Sequence, residues 1–159
     1  MLLGDLDSFL KEYLEIERFT PIDASLNGLQ VGRRDKEVRR VAYSVDAALE
    51  TMRRAAEAEA DMLLVHHGIF WGQVYPIVGP AFERFRTLLD HDLALYAVHL
   101  PLDYHPEVGN NAVMAERLGL VDTAPFGRYR GTHVGWKGRL PAPTPPREVA
   151  ETLFGTSEK

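Results

Sequence analysis

The chain has 159 residues, 45% of them hydrophobic and 26% charged, the balance of a globular protein large enough to bury a core. A formal charge of −5 gives no global electrostatic reason to expect nucleic acid as a partner. The absence of cysteine excludes disulfide frameworks, Cys-rich zinc sites, iron–sulfur clusters and thiol nucleophiles.

Residues 5–17 place Leu6, Phe9, Leu10, Tyr13 and Leu14 at helical spacing, which predicts one amphipathic helix with Asp5 able to cap it. Residues 20–32, with Pro21, Asn27-Gly28 and Gly32, read as loop or turn. Val38–Ser44 reads as a strand, and Asp46 stands where an N-cap belongs before an Ala-rich helix ending near Ala60. The apolar run of residues 62–65 is too short for a helix and suits a buried strand. A helix over about 80–90 follows, with Phe82, Phe85, Leu88 and Leu89 on one face, then a second apolar strand over 93–98. Asn110 or Asn111 caps a helix through Leu118, with Gly119 as its C′ residue. His133–Leu140 is a weaker strand, Thr144-Pro145-Pro146 opens a last helix, and the final GTSEK reads as a fraying end.

Helices and strands in alternation predict an α/β protein: a layered, largely parallel sheet with flanking helices, in one domain over residues 1–159. No run approaches the ~18 apolar residues of a membrane helix. The N-terminus lacks the basic-then-apolar layout of a signal peptide. A cytoplasmic protein without membrane attachment is expected.

In open α/β sheets ligands gather beyond the carboxyl ends of the strands. His66 and His67 end one apolar strand here, and the other runs into His99, with Asp103 four residues later. Imidazoles and a carboxylate suit Zn, Fe, Mn, Co or Ni. Consecutive strand residues point to opposite faces, so His66 and His67 converge only if the strand end twists, which Gly68 favours, and each imidazole then serves one ion of a pair. Metal pairs recur in hydrolysis because they lower the pKa of a shared water and clamp an oxyanion. On this reading His99 assists proton movement, or hydrogen-bonds to a ligand. His105 and Glu107 read as loop polarity, and Asn27-Gly28 as a turn. Phe70 and Trp71 either stack on a ring substrate or pack at the sheet edge.

The segments LNGLQVG (26–32), LLVHHGIFWG (63–72) and HLPLDYHPEVGNN (99–111) resemble the Nif-three-like dinuclear-metal family, the GTP cyclohydrolase type-two homologues. The resemblance runs through nearly the whole chain in order. It implies an α/β fold, two divalent ions per full site with His66, His67 and Asp103 among the ligands, and a homo-oligomer, typically a toroidal hexamer. It implies a metal-dependent hydrolase acting on a nucleotide ring or similar small molecule through a metal-activated water. The alternative is a non-catalytic metal-binding scaffold or metal-handling ring. Family members continue to a G-H-x-x-[ST]-E-like segment that supplies another histidine and a glutamate. This sequence contains none, so it is expected to be the N-terminal portion of the family fold.

Overall fold

The computed structural model describes residues 1–155, which form two compact units, one of residues 1–99 and one from residue 100 onward. The tail expected to fray lies outside the described residues apart from Gly155.

The first unit is built on a four-stranded sheet in the order β1-β4-β3-β2. Strands β2 (Val41–Asp46), β3 (Met62–His67) and β4 (Ala94–Ala97) run parallel, and β1 (Gly28–Val31) is antiparallel to β4 at the edge. Helix α3 (Leu49–Glu57) crosses from β2 to β3, and α4 (Pro80–Asp90) from β3 to β4. Strands β3 and β4 read as unbroken apolar runs because both faces are covered. On one face Leu63, Val65, Leu95 and Ala97 pack with Met52, Ala55 and Leu88 from α3 and α4. Met62 and Tyr96, of the opposite parity, are buried as well. Toward that face α1 (Leu3–Tyr13) brings Asp7 close to Gly28 and the Tyr96 hydroxyl.

The single N-terminal helix predicted over 5–17 is in fact broken. After α1 the chain turns through Glu15, whose φ of 49° is left-handed, and restarts as the short helix α2 (Ile16–Phe19). The break turns Ile16 and Phe19 inward, to 3% and 0% exposure, which one continuous helix would not do. Strand β1, read as loop, is only four residues long and gains its strand character from β4 rather than from its own sequence. Asp46 is not an N-cap: it is the last residue of β2, in register with His67, and α3 starts after Ala48.

The second unit holds α5 (Leu100–Tyr104), α6 (Asn110–Arg117), the hairpin of β5 (Val121–Tyr129) and β6 (Thr132–Arg139), and α7 (Pro146–Phe154). Tyr129 pairs with Thr132, so Arg130 and Gly131 alone make the turn, with φ of 48° and 87°. Two positive φ values match a type I′ turn, whose twist fits a tight hairpin. Gly109 rather than an asparagine takes the N-cap position of α6. Asn110 and Asn111 instead donate from Nδ2 to the Asp103 side chain and main chain respectively. Gly119 follows α6 at φ 61°, as the C′ reading requires. Among the described residues no helix is long and apolar enough to cross a membrane.

Candidate metal centre

Strand β3 delivers His66 and His67 where its pairing with β4 has already ended. The last rung with β4 is Val65 against Ala97, while the rung with β2 continues to Asp46 against His67. Freed on one side, the strand end lets the two neighbouring imidazoles approach, their ring centroids 4.6 Å apart. Gly68 matters here through close approach, not through a positive φ. A Cβ on it would stand 2.6 Å from Cδ of Gln30, whose amide accepts from Ile69 N–H at 2.8 Å and donates to the Leu26 carbonyl at 2.7 Å.

His99 follows β4 and completes the cluster. Its ring centroid lies 4.9 Å from that of His66 and 5.7 Å from that of His67. One ring nitrogen from each of the three histidines falls within 4.8 Å of the others. Each Nδ1 already faces an oxygen: His66 the Val98 carbonyl at 3.0 Å, His67 a carboxylate oxygen of Asp46 at 2.7 Å, His99 one of Asp23 at 2.9 Å. An imidazole bonded in this way at Nδ1 keeps Nε2 for a metal, and an oxygen partner behind the ring raises its basicity as a ligand. Neutral imidazoles at this spacing fit a divalent first-row ion.

Trp71 lies over the cluster, edge-on to His99 at 5.1 Å and tilted against His67 at 5.9 Å, with its indole N–H on the Gly68 carbonyl at 2.9 Å. Phe70 points the other way, packing on Phe85 at 5.8 Å against the core. Thus the aromatic pair divides: Phe70 packs, and Trp71 walls the site.

The structure therefore brings together His66, His67 and His99, all in the first unit. Asp103 lies on α5 in the second unit, where its Oδ1 accepts from Asn110 Nδ2 at 3.1 Å. His105 is not solvated loop polarity. It is 7% exposed, and its Nδ1 accepts from the main-chain N–H groups of Glu107 and Val108, fixing the loop before α6. Sequence reasoning missed Asp23 and took Asp46 for a helix cap. The register of β2 with β3 could have exposed Asp46, whereas Asp23 lies 76 residues from His99 with no local sign of the contact.

The profile of the family Duf34/NIF3 (NGG1p interacting factor 3) matches residues 1–157. A Deinococcus radiodurans protein named GTP cyclohydrolase 1 type 2 homolog is 53% identical over 137 residues, covering 86% of this chain and 51% of that protein. A Treponema pallidum protein of the same name is 47% identical over 150 residues, covering 94% and 52%. The crystal structure of TTHA1606 from Thermus thermophilus matches with a TM-score of 0.84 at 50% identity, over 96% of this chain and 60% of that one. Reduced HcgD from Methanocaldococcus jannaschii, at 23% identity and a TM-score of 0.83, shares the fold over 98% of this chain and 61% of that one. The chain spans about half the length of the curated relatives it matches. By the match of its profile over nearly every residue, the chain belongs to the Duf34/NIF3 family.

Proposed function

We propose that this chain carries metal-binding residues of a metal-dependent hydrolase that opens a C–N bond in a nucleotide ring or similar small molecule. The observation that supports it is the set of three imidazoles with one ring nitrogen of each within 4.8 Å of the others and every Nδ1 facing an oxygen that orients the ring. His66, His67 and His99 would hold the ion. Asp103 is proposed as the carboxylate ligand, and two ions as the complement of the full site, on the resemblance of the His66-His67 and His99–Asp103 segments to the family. A bound divalent ion supplies Lewis acidity and lowers the pKa of water. The chain's own part is to orient three donors through Val98, Asp46 and Asp23 and to shield them with Trp71. The name of the relatives, GTP cyclohydrolase 1 type 2 homolog, makes GTP the first substrate to try.

Self-association up to a hexamer, in the cytoplasm, belongs to the same reading. The exposed apolar side chains of Val41, Tyr43 and Val45 along β2 support it. A strictly monomeric protein in sedimentation velocity would overturn this part.

The test is elemental analysis of metal per chain, beside the His66→Ala, His67→Ala double variant and Asp103→Ala, followed by incubation with GTP. Bound Zn, Mn, Fe, Co or Ni that is lost in the double variant, with loss of the guanine chromophore only in the wild type, is the expected result. Metal without turnover across a panel of ring substrates would replace the enzyme by a metal-binding scaffold. No metal uptake at all would overturn the reading.

A further inference from the structure

Residues 20–28 carry turn chemistry, and a turn alone would leave their polar side chains in water. Asp23 is not in water: its side chain is 1% exposed. Oδ1 accepts from Ser25 N–H at 2.9 Å and faces His99 Nδ1 at 2.9 Å. Oδ2 accepts from Asn27 Nδ2 at 2.8 Å. The other end of that amide, Asn27 Oδ1, accepts the main-chain N–H of His99 at 2.7 Å. His99 is therefore gripped twice, by its ring and by its backbone, and the two grips are bonded to each other.

The chemistry of this arrangement is one-sided. An ionised carboxylate has lone pairs and no proton, so the Nδ1 that faces it must donate. Nε2 of His99 is then left with its lone pair, whereas a neutral histidine side chain free in water favours a proton on Nε2. Swapping the tautomer, or turning the ring over, would set a lone pair or a C–H against a buried charge, which is costly. Of the two carboxylates behind the cluster, Asp46 is 66% exposed, where water competes for it, and Asp23 only 1%. Asp23 thus has the stronger hold.

We propose that Asp23 is a positioning residue: its carboxylate, fixed by Ser25 and Asn27, holds His99 as the Nδ1–H tautomer and so presents Nε2 to the cluster with His66 and His67. Its consequence for metal affinity rests on the metal-centre reading above, but the tautomer does not.

The experiment uses the metal-free protein, labelled with ¹⁵N at histidine, in long-range ¹H–¹⁵N spectra at about pH 8, where unperturbed imidazoles are neutral. The expected wild-type spectrum has the His99 proton on Nδ1, and a proton on Nε2 overturns the proposal. In Asp23→Asn the new amide turns its NH₂ either onto Asn27 Nδ2 or onto the N–H groups of Ser25 and His99, so one donor opposes another in either orientation. His99 is then expected to move its proton to Nε2 or to mix tautomers, and Co²⁺ affinity to fall about 10–100-fold. Asn27→Ala, which frees the His99 backbone and removes the partner of Oδ2 but leaves the Asp23 charge and its Ser25 bond in place, is expected to keep the wild-type tautomer. An unchanged tautomer and unchanged Co²⁺ affinity in Asp23→Asn would sink the proposal, and should that variant not fold, the wild-type spectrum still decides. If His99 carries its proton on Nδ1 while Co²⁺ binds neither protein, the hold of Asp23 stands and the metal-centre reading fails.

Discussion

A Cβ at position 68 would run into the Gln30 side chain, and that side chain bonds both the residue after the glycine, through Ile69 N–H, and the Leu26 carbonyl. Gly68→Ala is therefore expected to displace Gln30 and to leave an amide N–H and a carbonyl without their partner, a loss of about 1–3 kcal/mol in chemical denaturation. Because one side chain carries the effect, Gln30→Ala and Gly68→Ala should be non-additive: the double variant should lose less than the sum of the singles. Full additivity would show that Gly68 acts through something other than Gln30. The same residue-scale economy appears at His105, whose one ring nitrogen accepts two main-chain N–H groups, and at Asn27, whose single amide reaches Asp23 and His99 together.

Among the elements, the start of β2 is held by Asp61, which precedes β3 and accepts the main-chain N–H groups of Arg39 at 2.8 Å and Arg40 at 2.9 Å. Those two bonds, Arg39 first, hold the Asp61 carboxyl below its ordinary value, with a smaller contribution from the nearby charge of Lys36. A carboxyl lowered on folding adds stability that is present above its unfolded value, about 3.9, and is lost as the pH falls through the lower folded value. Asp61→Asn should thus unfold more easily than wild type at neutral pH, and the gap should close in acid. A gap independent of pH would contradict this. The parallel core of the sheet was legible in the sequence because the runs at 62–65 and 93–98, buried on both faces, advertise themselves as strands without any partner. Strand β1 was not, because the four residues Gly28–Val31 become a strand only through β4. Strand β5 hides behind Pro125 and Gly127, and only its pairing with β6 through a two-residue turn makes it one. The site divides in the same way. His66, His67 and His99 stand out at strand ends, whereas Asp23 acquires its role only when the chain folds back over 76 residues.

At the scale of the whole molecule, the buried centre of the first unit contains one ionisable hydroxyl. Tyr96 is fully buried, and Asp7, itself 1% exposed and paired with Lys11 at 3.0 Å and Arg34 at 2.7 Å, lies beside it. Burial first, and then the negative charge of Asp7, push the Tyr96 hydroxyl well above the ordinary phenol value. A group raised on folding contributes stability that is complete below its unfolded value, about 10, and is lost as the pH rises beyond it. Urea denaturation from about pH 8 to about pH 11 should show a falling alkaline limb in wild type and a flatter one in Tyr96→Phe. Equal slopes would place the alkaline sensitivity elsewhere. The packing around this centre should be correspondingly unforgiving, and Leu95→Ala on the opposite face of β4 is expected to cost about 2–5 kcal/mol.

The two tryptophans fall one in each unit: Trp71 against His67 and His99, and Trp136 stacked on Tyr104 with its indole N–H on that residue's carbonyl. An open-shell ion held by the imidazoles would lie within quenching range of a ring 5.1 Å from His99, so Trp71 would serve as an optical gauge of the proposed site. In a Trp136→Phe background, which leaves Trp71 as the sole indole emitter, cobalt should darken the fluorescence in step with binding, while zinc, with its filled shell, should leave it bright.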